Sequence, residues 1–243
     1  MDWKEQVEEL QSLIDHAKRI VFFGGAGVST ESGIRDFRSE DGLYLLKSKY
    51  GVPYEIMLSH TYFTDKTDIF FKFYREFMIN TTAKANAAHK YLAALEKRKD
   101  LTIVTQNIDG LHQLGGSNKV IEIHGSIHRN HCMRCHTFYS LSDILLQSGT
   151  PRCLKCGGVI KPDVVLYEEP LNYQDIEDAI EAISKADLLI IGGTSLAVYP
   201  ASSFIDYFKG DNLVVINKTH TPIYRKIKLE INAPIGEVFA KLK

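Results

Sequence analysis

The sequence has no hydrophobic run long enough to cross a lipid bilayer. Its longest apolar stretches, such as LLII at 188–191, are far shorter than the ~20 residues of a membrane helix. The N-terminal residues MDWKEQ are charged and lack the apolar core of a signal peptide. These two absences predict a cytoplasmic protein that has no membrane partner.

An excess of basic charge is also missing. The 29 Lys and Arg residues are balanced by 30 Asp and Glu residues, so that the formal net charge is -1 at pH 7. A dedicated nucleic-acid-binding protein needs a clustered positive surface to neutralise phosphates. We therefore expect no direct nucleic-acid binding, whereas a basic peptide substrate is compatible with this charge.

Cysteine is scarce, and its four copies are confined to one segment. Cys132 and Cys135 form one C-x-x-C pair, Cys153 and Cys156 form a second, and 17 residues separate the two pairs. That spacing predicts a tetrahedral zinc site in which each pair clamps one side of the metal. Because four thiolates leave no coordination position for water, the zinc would be structural.

Other uses of these cysteines explain less of the pattern. Disulfides are rare in cytoplasmic proteins, and a redox C-x-x-C motif would use only one of the pairs. The C-x-x-C-H sequence that ends at His136 also matches a c-type haem attachment motif, but it again leaves the second pair unexplained. His131 or His136 in place of one thiolate ligand is an open alternative.

Apolar, strand-like runs alternate with helical segments along the chain. The runs lie at 20–23, 101–105, 120–123, 164–167, 188–191 and 213–217, and most lack polar alternation, as in strands that are covered on both faces. Apolar residues have helical spacing at 3–18, 85–97 and 175–185. This order predicts an α/β fold, a parallel sheet with helices on both faces.

Two segments interrupt the alternation. Residues 40–82 are rich in Tyr, Phe and Met and indicate a helical insert, and residues 128–161 contain all four cysteines. We expect these two segments to form a small lobe, while 1–39, 83–127 and 162–243 form the larger sheet domain. A ligand would then lie between the lobes, near the carboxyl ends of the strands.

A glycine-rich turn follows the first predicted strand. The strand at 20–23 leads into GGAG at 24–27 and then into a polar stretch at 28–38. Glycines let backbone N–H groups approach a phosphate closely, which suggests a dinucleotide site. The match is imperfect, because Thr30 stands where the usual fingerprint has Gly or Ala and no acidic partner follows. A purely structural turn is the alternative.

Polar side chains follow two further predicted strands. The strand at 101–105 ends in QNID at 106–109, and the strand at 120–123 ends in His124 and Gly125. In an α/β sheet the carboxyl ends of the strands are where catalytic groups gather. His124 is therefore a candidate general base, since histidine exchanges protons near neutral pH.

Several separate motifs now resemble those of the sirtuin family, in that family's order. They are GAGVS at 25–29 through DFR at 36–38, TQNIDGLH at 105–112, HG at 124–125, the two C-x-x-C pairs, GTSL at 193–196 through Pro200, and NK at 217–218. The resemblance covers nearly the whole chain. It implies a Rossmann-like NAD-binding domain, a small lobe with a zinc module, and the activity of a bacterial-type NAD-dependent protein-lysine deacylase.

The resemblance also implies a reaction in which NAD is consumed. The acyl oxygen of a modified lysine attacks the nicotinamide ribose, and nicotinamide, deacylated lysine and O-acyl-ADP-ribose are released. It implies that His124 is the general base, that Asn107 orients ribose and water, and that Ile108 and Asp109 hold nicotinamide. The further implied cofactor contacts are Ala26, Thr30, Phe37, Arg38, Gln106, Thr194, Ser195 and Asn217.

The family binds an extended acyl-lysine peptide by backbone pairing. The matching segments of this chain contain Val165, Tyr167 and Val198. A Tyr and an Arg at a defined spacing mark the members that prefer acidic acyl groups, but Tyr74 and Arg75 are adjacent and do not align with that pattern. We therefore expect acyl-lysine proteins or peptides as partners, with acetyl or another neutral acyl group.

One position departs from the family pattern. Arg35 stands immediately before DFR at 36–38, where the family usually has Pro. Proline would fix φ and stiffen the cofactor loop. Arg35 removes that restraint and adds a charge near the expected position of the NAD phosphates, with an effect on NAD binding that the sequence leaves open.

Other functions would use parts of the same sequence. A mono-ADP-ribosyltransferase uses the same NAD site and is the principal alternative. A redox dehydrogenase would need a hydride-transfer site, and the sequence offers none beyond the glycine-rich turn. A zinc-bearing interaction module would explain the cysteines but not the polar residues at 106–112 or His124.

Overall fold

Six parallel strands form the larger sheet of the computed structural model, which describes residues 3–35 and 49–243. In chain order the strands of the protein are β1 (Arg19–Gly24), β2 (Asp100–Thr105), β3 (Val120–Glu122), β4 (Gly125–Cys132), β5 (Phe138–Ser140), β6 (Ile160–Val164), β7 (Leu188–Gly192), β8 (Asn212–Asn217) and β9 (Leu229–Asn232). The larger sheet has the order β3-β2-β1-β7-β8-β9, and every described pairing in it is parallel.

Helices follow most of these strands. The described α-helices are α1 (Trp3–His16), α2 (Tyr54–Met57), α3 (His60–Asp65), α4 (Thr67–Phe73), α5 (Ala87–Glu96), α6 (Leu111–Leu114), α7 (Leu141–Leu145), α8 (Tyr173–Lys185) and α9 (Ile235–Phe239). Three 3-10 segments lie at Ala26–Val28, Thr30–Ser32 and Ala201–Tyr207, and a π-helical turn lies at Tyr74–Met78.

The central strands bury both of their faces. Phe22 of β1 belongs to one apolar layer together with residues of α1, α5 and α9, whereas the next residue, Phe23, belongs to a second layer with α8. Both phenylalanines are fully buried. Such two-sided burial explains why these strands are continuous apolar runs. The predicted parallel sheet with helices on both faces is confirmed.

The predicted strand at 164–167 is wrong as a member of this sheet. The observed strand, β6, ends at Val164 and pairs antiparallel with β4 in a separate three-stranded sheet of order β5-β4-β6. Its residues alternate between buried and half-buried positions. Residues 165–167 continue beyond the strand, where the Tyr167 amide donates to the Leu58 carbonyl at 2.9 Å.

The sequence pattern did not predict β9. This four-residue strand lies at the edge of the larger sheet, and the side chain of Glu230 interrupts its apolar residues. An edge strand needs no continuous apolar run, because part of its surface faces solvent. Its pairing with β8 nevertheless completes the parallel sheet.

An aromatic cluster joins the helical insert to the three-stranded sheet of β5, β4 and β6, called the small sheet below. Phe63, Phe70, Phe71 and Tyr74 pack with Ile127, Val164 and Leu166, which come from β4, β6 and the segment after it. The helical character expected for 40–82 is seen in α2, α3, α4 and the π-helical turn, while residues 36–48 lie outside the described part of the chain. The proposed lobe boundaries stay a prediction. Among the described residues, no helix is long and apolar enough to cross a membrane.

Candidate active site

A cleft of about 1100 Å³ opens at the carboxyl ends of β1, β2 and β7. Most of the sequence-predicted site residues line it, namely Ala26, Gln106, Asn107, Ile108, Asp109, His124, Val165, Tyr167, Thr194, Ser195 and Val198. Thr30 and Asn217 are not among the lining residues. Phe37 and Arg38 fall outside the described residues.

The glycine-rich turn is fixed by close contact with the loop after β7. The Gly25 amide donates to the Gly192 carbonyl at 3.2 Å, and the Gly27 amide donates to the Gly193 carbonyl at 2.8 Å. A Cβ atom on Gly25 would lie 2.7 Å from Thr194 Cβ, and one on Gly27 would lie 2.8 Å from Gly193 Cα. Both glycines are therefore required for loop packing, whatever contact they also make with a phosphate.

Thr30 occupies the position of the missing third glycine of the fingerprint. Its hydroxyl donates to the Gly27 carbonyl at 3.0 Å, which ties together the two 3-10 segments of the loop. The side chain thus has a local structural role in this conformation. Its contact with the cofactor stays a prediction.

Ser29, Asn107 and Asp109 form a polar network at the base of the cleft. The fully buried Ser29 hydroxyl donates to Asp109 Oδ2 at 2.7 Å and accepts from Asn107 Nδ2 at 3.0 Å. Asn107 Nδ2 also donates to the Gly25 carbonyl at 3.1 Å. These bonds join the segment after β2 to the glycine-rich loop, which is the turn at 24–27 together with the two 3-10 segments that continue it to Ser32. The sequence pattern had not singled out Ser29.

The carboxyl group of Asp109 is partly buried in this network. Burial raises its pKa above the ordinary value, because the charged form loses hydration. The Ser29 hydroxyl and the Leu111 amide, which donates to Oδ1 at 2.9 Å, oppose that shift by stabilising the carboxylate. Asp109 is therefore a partly desolvated acceptor at the wall of the cleft.

The His124 ring is anchored through one nitrogen. Its Nδ1 lies 3.0 Å from the Gln106 carbonyl oxygen, which can only accept, so we assign the Nδ1–H tautomer of the neutral ring from this geometry. The lone pair is then on Nε2. The His124 carbonyl accepts from the Val165 amide at 3.0 Å, and the Gln106 amide donates to the Gly24 carbonyl at 2.9 Å. The histidine is thus held between β1 and the segment after β6.

Thr194 and Asn217 hold a second turn against the first. Gln106 Nε2 donates to Thr194 Oγ1 at 3.2 Å. The Thr194 amide donates to Asn217 Oδ1 at 3.0 Å, and Asn217 Nδ2 donates back to the Thr194 carbonyl at 3.0 Å. Asn217, at the end of β8, therefore shapes the loop that carries Thr194 and Ser195, and its ribose contact stays a prediction.

The expected peptide-binding segments both line the cleft, although they come from different parts of the chain. Val165 and Tyr167 follow β6, and Val198 follows the turn after β7. The backbone of Tyr167 already pairs with the helical insert, since its amide donates to Leu58 and its carbonyl accepts from the His60 amide at 3.0 Å. Tyr167 is 38% exposed and lines the cleft.

The four cysteine sulfurs form a separate cluster, away from the cleft lining. All four Sγ atoms lie within 4.8 Å of one another, with Cys132 to Cys156 at 3.4 Å and Cys135 to Cys153 at 3.5 Å. A disulfide needs about 2.05 Å, whereas zinc at ~2.3 Å from each sulfur requires separations close to those observed. The cluster fits one tetrahedral zinc.

The two alternative histidine ligands lie outside this cluster. His131 Nδ1 is 2.7 Å from Asp163 Oδ1, and neither it nor His136 belongs to the group of potential metal ligands found among the described residues. The Tyr139 hydroxyl donates to Cys153 Sγ at 3.1 Å and accepts from the Leu154 amide at 2.9 Å. Such an outer hydrogen bond stabilises a thiolate ligand.

Comparisons with known proteins agree with this geometry. A family model described as "Sir2 family" matches residues 25–200. A protein of Clostridium acetobutylicum named NAD-dependent protein deacetylase is 54% identical over 236 residues, which is 96% of each chain. Proteins of the same name from Clostridium perfringens and Staphylococcus aureus are 53% and 43% identical, each over 98% of both chains.

Solved structures show the same similarity. A Sir2 structure with a p53 peptide and NAD+ has a TM-score of 0.85 and 34% identity, covering 97% of this chain and 96% of that one. A Sir2 variant with a deacetylated p53 peptide and 3'-O-acetyl-ADP-ribose has a TM-score of 0.87 and 34% identity, covering 99% and 96%. The chain belongs to the Sir2 family.

Proposed function

We propose that this protein is an NAD-dependent protein-lysine deacetylase that transfers the acetyl group to ADP-ribose and releases nicotinamide. The observation that carries the proposal is the meeting of His124, Asn107 and Asp109 with the glycine-rich loop in one cleft. Its support from relatives is their shared name, NAD-dependent protein deacetylase. None of the relatives described above is named as an ADP-ribosyltransferase.

His124 is the proposed general base. The anchor from Nδ1 to the Gln106 carbonyl fixes the ring plane and leaves Nε2 as the basic nitrogen. A histidine in this state can accept a proton at neutral pH from a hydroxyl within hydrogen-bond reach. We infer that the hydroxyl belongs to the nicotinamide ribose.

Asp109 and Asn107 are the proposed binding groups beside the base. NAD, when bound, supplies the electrophilic ribose carbon and the nicotinamide leaving group. The partly desolvated Asp109 carboxylate can accept the hydrogens of the nicotinamide amide, and we infer that the neighbouring Ile108, which also lines the cleft, supplies an apolar contact to the ring. Asn107 holds Ser29 and Gly25 in place, and we infer that it also orients the ribose and a water molecule.

The four cysteines are the proposed ligands of one structural zinc. Their sulfur set is complete for tetrahedral coordination, and none of them lines the cleft. The metal would hold β4, β5 and β6 together. No catalytic step is assigned to it.

We propose acetyl, or another neutral acyl group, as the acyl group that is removed. Tyr74 is fully buried, and Arg75 Nη2 donates to the Gln147 carbonyl at 3.0 Å, so neither residue lines the cleft. Among the described lining residues, Arg35 is the one Lys or Arg. An acidic acyl group would therefore find no cationic partner other than Arg35 among these residues.

The test is an assay of the purified protein with an acetyl-lysine peptide, with and without NAD. We expect equimolar free nicotinamide, deacetylated peptide and O-acetyl-ADP-ribose, and a much slower reaction with the matching succinyl-lysine peptide. His124→Asn should lower turnover at least ~100-fold, because the base is lost. His220→Asn, an exposed histidine outside the cleft, is the control.

Three results would contradict the proposal. ADP-ribose attached to protein, with no O-acetyl-ADP-ribose, would favour the transferase alternative. Near-normal turnover by a folded His124→Asn variant would remove the assigned base. Preferred use of the succinyl peptide would overturn the neutral acyl assignment while leaving the NAD-dependent reaction intact.

A further inference from the structure

The Asn86 side chain contacts both the start of α5 and the glycine-rich loop. It is the residue before α5, and its Oδ1 accepts from the Ala88 amide at 3.0 Å and from the His89 amide at 3.4 Å, as in an ordinary N-cap. Its Nδ2 points the other way. That nitrogen donates to the Val28 carbonyl at 2.7 Å and to Ser32 Oγ at 3.0 Å, both in the glycine-rich loop.

The orientation of the Asn86 amide is determined by its surroundings. Two backbone amides point at the oxygen side, and a carbonyl points at the nitrogen side. The opposite orientation would set oxygen against the Val28 carbonyl and nitrogen against N–H donors, which leaves buried polar groups unpaired. The helix cap thus forces the donor end of the side chain toward the loop.

The loop contacts of Asn86 lie on both sides of the residues that face the cofactor site. Val28 and Ser32 flank Ser29, which bonds to Asp109 and Asn107 at the base of the cleft. The loop is therefore held from two directions, by the catalytic network on one side and by Asn86 on the other. Asn86 itself is not among the residues that line the cleft.

We propose that Asn86 is a positioning residue for NAD, which acts by fixing the glycine-rich loop in the conformation that binds the cofactor. The inference rests on the proposed function, since the loop is taken to contact NAD. Without the two bonds from Nδ2, the free loop would be less ordered. Part of the binding free energy of NAD would then be used to order the loop, so that the affinity would fall. Binding of the acetyl peptide, which we assign to Val165 and Val198, should not depend on Asn86.

The decisive variant separates the cap from the loop contact. Asn86→Ser keeps a good N-cap, because serine caps about as well as asparagine, but its hydroxyl is too short to reach Val28. We expect the KM for NAD and the Kd for ADP-ribose to rise about five- to tenfold, as for the loss of two ordering hydrogen bonds. The KM for the acetyl peptide should stay within about twofold, and the melting temperature should fall by only a few degrees, because the cap is kept while the Val28 carbonyl loses its donor.

The control is Asn172→Ser at the N-cap of α8. Asn172 Oδ1 accepts from the Gln174 amide at 2.8 Å and from the Asp175 amide at 3.2 Å, so the substitution repeats the exchange of the capping oxygen away from the loop, without the ring contact that His89 adds at Asn86. We expect no change in NAD or ADP-ribose binding. Asn86→Asp keeps the capping acceptor and, at pH 8, lacks a donor. We expect it to weaken NAD and ADP-ribose binding as Asn86→Ser does.

The outcomes distinguish this proposal from the proposed function. Unchanged ADP-ribose binding by a folded Asn86→Ser variant would overturn the positioning role, as would an equal rise in KM for NAD and peptide. If the unaltered protein releases no nicotinamide, the proposed function fails, but calorimetry with ADP-ribose still decides the role of Asn86. Absence of ADP-ribose binding by the unaltered protein would overturn both.

Discussion

Two buried histidines, one on α5 and one on α6, lie side by side. The rings of His89 and His112 are 4.7 Å apart between centroids, and both residues are almost fully inaccessible to solvent. Burial lowers the pKa of His89 to about 4 and that of His112 to about 3, and repulsion from His89 adds to the second shift. The native structure therefore requires both rings to be neutral.

This pair should make the protein sensitive to acid. Below the unfolded pKa of about 6.5 the unfolded chain binds protons that the native state refuses, so stability is full above that pH and falls as the pH drops toward 4. The expected slope is roughly 1 kcal/mol per pH unit for each histidine. His112→Leu should flatten the curve, because it removes one titrating ring whose nitrogens have no described partner.

The measurement is the free energy of unfolding by denaturant at several pH values between 4.5 and 8. The control is His220→Leu, which removes an exposed histidine whose ring contacts Glu230 and not the pair. We expect the control to follow the curve of the unaltered protein. Parallel curves for His112→Leu and the unaltered protein would show that His112 does not contribute to the acid sensitivity.

Residues that act alone at the end of a strand could be predicted from the sequence, and residues that act through distant contacts could not. His124, Asn107 and Asp109 follow predicted strands, and all three line the cleft. Ser29 bonds to a residue 80 positions away, and Asn86 bonds to one 58 positions away. Local spacing carries no information about such pairs, because side-chain geometry in the folded chain decides them.

At the scale of elements, prediction succeeded where burial is uniform. β1, β7 and β8 are buried on both faces and are continuous apolar runs in the sequence. β6 and β9 alternate or contain a polar residue, because each has a partly exposed face. The apolar run at 164–167 wrongly predicted a strand of the parallel sheet for a related reason. Its residues are apolar because they pack in the aromatic cluster and line the cleft.

Gly125 starts β4 directly after His124 and is the most constrained glycine of the small sheet. Its φ is +76°, and a Cβ atom there would lie 1.7 Å from the carbonyl oxygen of Asp163 on β6. Alanine could fit only if β4 and β6 separated. We therefore expect Gly125→Ala to abolish folding or to lower the free energy of unfolding by more than about 3 kcal/mol.

Gly149→Ala is the matched control for this prediction. Gly149 also has a positive φ, +67°, but a Cβ atom added there would meet no heavy atom within 4 Å. That substitution has only the cost of a left-handed backbone, about 1 to 2 kcal/mol. The free energy of unfolding by denaturant is measured for both variants. Equal decreases would show that the close approach of β4 and β6 is not the reason that position 125 needs glycine.

At the scale of the whole molecule, β4 links the cysteine cluster to His124, the proposed general base. The strand has eight residues, beginning next to His124 and ending at Cys132. The small sheet and the helical insert share the aromatic cluster, whereas the two apolar layers of the parallel sheet contain no cysteine. Loss of zinc should therefore act on the small lobe first and reach the active site through β4.

Removal of zinc tests this organisation and the proposed lobe boundaries together. A strong chelator should remove one zinc per chain, produce a new unfolding transition at lower temperature, and abolish nicotinamide release, while the parallel sheet still unfolds in a later transition. The reason is that a cysteine-rich module this small depends on its metal for stability. Added Zn²⁺ should restore both stability and activity. A metal-free protein that keeps its original thermal stability would contradict the structural role of the metal, and a single transition would contradict the division into lobes.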